Sequence, residues 1–436
     1  MRRGALLLAL LLMAVFLGRH FASEENGNPA LPPGREDSPA PWRNILLIVV
    51  DTLRRDHVSL YGNAVHTPNL ERLAAGGQVF SAATSSFHQT TMSMAALFTG
   101  RTPSIEKSGG GTLEWTGQTW CGLSRMAEGD EDSCIPRNLP TLAERMQAAG
   151  FHTIGVVANE LLYAPGGYER GFDRWVEIAP VERDEGNLFG SFSRKVAIRR
   201  NAPAVNAELF RVLDGETSSA PLFMYVHYID VHDYPILGLP YARMVRSLDT
   251  GVGELLDGLE ARNLLSETLV ILTSDHGETL DEEHALPSGR GHFGNPSFQP
   301  VLDIPLITSH PIGVASDTLV RSQDMFDFVL RLGRAEEAGP RDLPPDELFL
   351  TEIGFQTYRK GRWKSTRARK DGTISLFDLQ TDLGETRDVA SQHPGIVAEH
   401  KKRIGELAAQ LAAETEGSSG LSPYDEERLR RLGYIE

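Results

Sequence analysis

Asn44-Ile45-Leu46-Leu47-Ile48-Val49-Val50-Asp51 is the stretch that decides the fold. An uninterrupted apolar run of this kind is the pattern of a parallel strand buried on both faces, and it stops at a carboxylate. Function tends to collect at such strand ends. The same pattern recurs in Leu222-Phe223-Met224-Tyr225-Val226, which leads to His227, Asp230 and His232. It recurs again at 268–273, which ends in Ser274-Asp275-His276-Gly277. Between these runs, helical spacing covers 140–150 and stops at Gly150, a buried strand follows at 153–158, and an amphipathic helix follows at 244–262. Strands alternating with helices imply an α/β fold, with one large, mostly parallel sheet covered by helices on both faces.

Further along, Pro305-Leu306-Ile307 and a helix at 324–332 precede a Pro-rich acidic linker at 336–346. Short strand-like runs between 347 and 388, with a turn at Asp371-Gly372, predict a small antiparallel sheet, and a helix follows at about 400–414. The expected organisation is a signal peptide or anchor (1–22), a linker (23–42), a catalytic domain (43–335), a small C-terminal antiparallel subdomain (346–415) and a tail (416–436).

With 436 residues and 41% hydrophobic content, the chain can bury a large core with a smaller one appended. Its 59 acidic against 43 basic residues leave a formal charge of −16, which repels nucleic acid and excludes it as a partner. Attraction for any anionic ligand must therefore be local, from a metal or a helix terminus. At the N-terminus, Arg2-Arg3, an apolar run over 4–18, then Arg19 and His20 match an export signal. The run is short for a membrane span, yet no Ala-x-Ala cleavage site follows, so an uncleaved N-terminal anchor is the other reading. Either places the remainder outside the cytoplasm, as a periplasmic, secreted or membrane-anchored protein. Cys121 and Cys134, an even pair in an exported chain, are expected to form a local disulfide, with two free thiols as the alternative.

The chemistry-bearing segments, in chain order, are Asp51-Thr52-Leu53-Arg54, Thr90-Thr91-Met92-Ser93-Met94-Ala95-Ala96-Leu97-Phe98-Thr99-Gly100-Arg101, His227-Tyr228-Ile229-Asp230-Val231-His232 and Thr273-Ser274-Asp275-His276-Gly277-Glu278. Together they resemble the sulfatase family of the alkaline phosphatase superfamily. Gly291-His292 before Asn295-Pro296, Ile304-Pro305-Leu306-Ile307, Leu376-Phe377-Asp378-Leu379 and Gly384-Glu385-Thr386 extend the resemblance over nearly all of the chain from Asn44. It implies that Asp51, Asp275 and His276, completed by Thr90, hold one divalent metal ion, with calcium, zinc and manganese all suited to the donors. It also implies that Thr90 is the nucleophile, that His232 contacts the ester's anionic oxygens and that His292 protonates the leaving group. His227 and Arg54 are candidate substrate contacts, each with a bland alternative: a satisfied core histidine and a solvated loop charge.

The chain departs from the family pattern at telling places. Thr90 stands where Cys or Ser is oxidised to formylglycine, and Met92 and Met94 replace the proline and arginine of that signal. Thr52 takes the place of a second aspartate, and the segment ending at Asn159 lacks the lysine expected there. Residues 91–98 have helical character, so the Thr90 hydroxyl is expected at a helix N-terminus; capping that helix is its ordinary alternative role. The expected activity is metal-dependent hydrolysis of a small-molecule, glycan or lipid sulfate or phosphate ester through Thr90. Phosphoryl transfer to an alcohol and inactive anion binding are the rival readings.

Overall fold

In the computed structural model, the described residues are 42–413 apart from 63–64, 108–112, 118–134, 136–138, 186–193, 288–290, 293–297, 335–342, 345 and 352–353. The expected signal or anchor segment, nearly all of the first linker, both cysteines of the expected disulfide and the tail lie outside them. Among the described residues, no helix is long and apolar enough to cross a membrane.

A seven-stranded sheet forms the centre, in the order Gln78–Val79, Leu306–Thr308, Thr268–Ser274, Asn44–Val50, Leu222–Tyr228, His152–Val157 and Arg174–Glu177. From Thr268–Ser274 to Arg174–Glu177 every pairing is parallel, while the two strands on the other side pair antiparallel. Every residue of Asn44–Val50 is buried, as its unbroken apolar run requires. Alternate side chains feed two cores. Ile45, Leu47 and Val49 pack with the helices Thr90–Thr99 and Asp324–Leu332, whereas Leu46, Ile48 and Val50 pack with Ala202–Asp214 and Tyr241–Ala261. All ten residues of Thr90–Thr99 are buried, so this helix has no solvent face.

The small antiparallel sheet is present as Glu347–Thr351, Phe355–Lys360, Trp363–Ala368 and Ile374–Asp378, but it has two further strands. The hairpin Pro103–Lys107 with Leu113–Gly117, immediately after the Thr90–Thr99 helix, joins it through a parallel pairing of Ser104 with Thr351. The Pro394–Ala413 helix packs on this sheet through Ile404 and Leu407, against Phe349 and Tyr358.

The C-terminal sheet is also tied to the segment at Gln299 through buried charge. Lys364 Nζ lies 2.6 Å from Glu385 Oε1, both side chains fully buried, and Glu385 Oε2 accepts a hydrogen bond from the Gln299 N–H at 3.0 Å. Truncating one partner of a buried pair strands the other charge, at a cost of about 3–5 kcal/mol. Lys364→Met is therefore expected to lower the unfolding free energy by about that amount, read as a fall in the urea midpoint. A midpoint within error of the parent would remove the pair from the list of stabilising contacts.

Candidate functional site

Parallel register creates the site. Val50 pairs with Ser274 across neighbouring strands, so Asp51 and Asp275, the next residues on each chain, emerge side by side. Thr52 then turns at φ 59°, a left-handed conformation that costs a β-branched residue energy and concentrates at functional sites. The turn aims the Thr52 N–H at Asp275 Oδ1, 3.1 Å away. Gly277 is required by contact rather than by φ, since a Cβ there would lie 2.0 Å from the Pro300 carbonyl oxygen.

Asp51, Asp275 and His276 are completely buried, and one donor atom from each lies within 4.8 Å of the others. His276 Nδ1 is 2.8 Å from the Gly277 carbonyl, which can only accept, so Nδ1 carries the proton and Nε2 presents its lone pair. Asp51 Oδ1 and Asp275 Oδ2 are buried without a hydrogen-bond partner. Burial first, and the Asp51 charge second, push the Asp275 carboxyl up to about 7. For Asp51, burial acts in the opposite direction to the net shift; the His232 charge first, then the neighbouring His227 and His276 imidazoles, hold it well below the carboxylate range. Two buried carboxylates with free oxygens and one imidazole lone pair fit a divalent cation, which relieves both their desolvation and their mutual repulsion.

Thr90 is the first residue of its helix, with Gln89 at the cap position. Its Oγ1 does not turn back onto the helix; it lies 3.4 Å from Asp51 Oδ2 and 3.3 Å from His276 Nε2. The first backbone bond of the helix runs from the Ser93 N–H to Gln89 O, leaving the three N–H groups before it unused within the helix, facing the cluster end. Ser93 Oγ and Ser85 Oγ both donate to the Asp275 carbonyl, at 2.6 and 2.5 Å, tying the helix to the Asp275 strand end.

The remaining expected residues are placed as follows. His232 Nδ1 is 3.1 Å from Asp233 Oδ1; burial lowers its pKa, but the Asp51 charge and that hydrogen bond outweigh burial and raise it. His292 is buried, its ring 4.6 Å from that of His276 and 5.6 Å from that of His232. Burial, then the His276 and His232 charges, push its pKa well down. His227 is fully buried: Nδ1 meets the Tyr225 hydroxyl at 2.9 Å, and Nε2 lies 3.7 Å from Asp51 Oδ2. Arg54 is buried and engaged elsewhere. Its guanidinium forms a bidentate pair with Asp56 at 2.9 and 2.7 Å, meets Glu282, and donates to the Glu278 carbonyl at 3.0 Å.

Two residues enter that the sequence reading did not assign. Asn159 Nδ2 donates to Asp51 Oδ2 at 2.6 Å from the end of the His152–Val157 strand, the position noted above only for its missing lysine. Glu278, 3% exposed, faces His292 Nδ1 at 3.4 Å, and burial pushes its carboxyl up to about 7. Its place directly after Asp275-His276-Gly277 was the available signal.

The family model described as Sulfatase matches residues 43–333. The chain belongs to the sulfatase family. As a sulfatase-family member it is an ester hydrolase built on the alkaline phosphatase-like fold. N-acetylgalactosamine-6-sulfatase of Canis lupus familiaris is 27% identical over 364 residues, covering 74% of this chain and 68% of that protein. The structure of Ps i-CgsB in complex with k-i-k-neocarrahexaose superposes with TM-score 0.64 at 20% identity, covering 89% and 97% of the two chains. The phosphonate monoester hydrolase of Agrobacterium radiobacter superposes with TM-score 0.60 at 16% identity, covering 87% and 100%.

Proposed function

We infer that this sulfatase-family chain hydrolyses sulfate or phosphate esters through Thr90, with phosphorus esters preferred. The observation that carries the reading is the Thr90 hydroxyl, held between Asp51 and His276 rather than on its own helix. Asp51, Asp275 and His276 would hold a divalent cation, and when bound it supplies positive charge that favours the ionised threonine hydroxyl. Thr90 Oγ1, its proton released to solvent, forms a bond to phosphorus or sulfur while the bond to the leaving oxygen breaks. The leaving oxygen takes its proton from His292, and Glu278, with a carboxyl pKa of about 7, stands behind His292 Nδ1 as the group that restores it. Water then attacks the Thr90 ester and regenerates the hydroxyl. His232 faces the anionic oxygens, with Asp233 fixing its Nδ1.

The preference for phosphorus follows from the helix. Met92 and Met94, where the resemblance expects proline and arginine, are fully buried core side chains, so neither brings charge to the nucleophile. Relatives named as sulfatases act on sulfated sugars, and an anionic glycan or lipid ester is the substrate class inferred here. Aryl sulfate, phosphomonoester and phosphodiester substrates, each assayed with calcium, zinc and manganese, test it. The expected result is a kcat/KM at least tenfold higher on a phosphorus ester than on the aryl sulfate with the best metal; the reverse order sinks the preference. Export belongs to the same reading, on the basis of the charged and apolar N-terminal pattern, and protease accessibility in intact cells tests it.

A further inference from the structure

A cavity of about 390 Å³, within the size range of small-molecule sites, lies beside the catalytic cluster. One wall is the 199–201 segment that leads into the Ala202–Asp214 helix. The other is the chain that leaves the Leu222–Tyr228 strand and continues past His232 into the Tyr241–Ala261 helix. Arg199 connects the two places: it lines the cavity, donates to Asp233 Oδ1 at 2.9 Å, and has Nη1 3.2 Å from His232 Nδ1. The cavity thus sits one side chain away from the imidazole assigned to the ester's anionic oxygens.

Its lining holds two unmet demands of opposite kind. Arg200 and Arg243 are exposed and form no ion pair with a described residue. Asp230, by contrast, is 3% exposed, and both of its carboxylate oxygens are buried. Ala202, at the start of its helix, turns its N–H toward that carboxylate, but neither oxygen completes a hydrogen bond of normal geometry. Burial, aided by the Asp233 charge, pushes the Asp230 carboxyl up to about 6, a sign of how poorly the protein itself solvates it. A buried acceptor without a donor is costly, and a ligand hydroxyl would remove that cost. Free guanidinium groups match a carboxylate or phosphate in geometry and charge. Leu239 and Met244 add apolar surface for the C–H face of a ring.

We propose that this cavity is a substrate-binding subsite beside the His232 side of the active site, and that it takes a polyhydroxylated group carrying its own negative charge, with Arg200 and Arg243 holding the anion and Asp230 accepting from a hydroxyl. The proposal rests on the ester-hydrolase reading for the role of the subsite, though not for binding itself. An acidic sugar and a glycerophosphate headgroup share this chemistry, so D-glucuronate and sn-glycerol 3-phosphate serve as the two probes.

The experiment is calorimetric titration of each probe into the full chain, the Arg200→Ala/Arg243→Ala double variant and Asp230→Asn. Both arginines are exposed, so the double variant is expected to fold as the parent does. At least one probe should bind the parent and weaken at least tenfold in the double variant and at least threefold in Asp230→Asn. Stronger glucuronate binding assigns an acidic sugar, and stronger glycerol phosphate binding assigns a headgroup. Absence of binding by both at millimolar concentration, or equal binding by parent and double variant, overturns the proposal. The D-glucuronate titration on Thr90→Ala should match the parent, so a failure of the nucleophile assignment and a failure of the subsite give different results.

Discussion

Thr90→Ala is expected to lower kcat on the best substrate by at least about a thousandfold, equivalent to roughly 4 kcal/mol of transition-state stabilisation, while the protein stays folded. The two roles open to this threonine differ in kind. A cap contributes about 1 kcal/mol to stability and nothing to a covalent step. Thr90 does not occupy the cap position, and its hydroxyl points to Asp51 and His276. Alanine is also a better helix former, so the variant should melt within a few degrees of the parent. Thr90→Ser keeps the hydroxyl and should retain measurable turnover. Steady-state kinetics with a thermal melt and metal analysis on each variant decide the matter. A folded, metal-loaded and fully active Thr90→Ala would falsify the nucleophile assignment.

Asp275→Asn is expected to weaken divalent metal binding by at least about a hundredfold, at or beyond the upper end of what losing an outer hydrogen-bond partner does. Oδ1 is already engaged by the Thr52 and His276 N–H groups, at 3.1 and 2.7 Å, and Oδ2 is the free donor. The amide preserves shape and removes the charge. It also ends the repulsion between Asp275 and Asp51 that, after burial, raises the Asp275 pKa, so the metal-free variant should be no less stable than the parent. His292→Ala should keep metal affinity within about tenfold, because His292 is not one of the three donors: it packs beside the His276 ring and faces Glu278. Metal titration of the two purified variants separates these roles. Equal metal loss in both would refute the division between ligand and proton donor.

Much of the site was legible because its residues follow strong local patterns. Asp51 and Asp275 each end an unbroken apolar strand, and the register between Val50 and Ser274 then sets them side by side. The helix at 324–332 was readable to the residue, since its apolar stripe is strongly periodic. The Thr90–Thr99 helix was harder to define: it is buried on every side, so no polar stripe reveals its face.

Composition and pattern by themselves determined the parallel α/β class, the strand-end carboxylates and the placement of Thr90 at a helix start. Those features depend on how one segment meets its own environment, and side-chain periodicity records that directly. Tertiary structure alone decided that Asn159 donates to Asp51, that Glu278 stands behind His292, and that the Arg54 guanidinium is occupied by Asp56 and Glu282. It alone decided that the hairpin after the Thr90 helix extends the C-terminal sheet, although 247 positions separate Ser104 from Thr351. The physical reason is that a partner across the fold is selected by strand register and loop closure, and these depend on contacts between segments whose local sequences carry no record of each other.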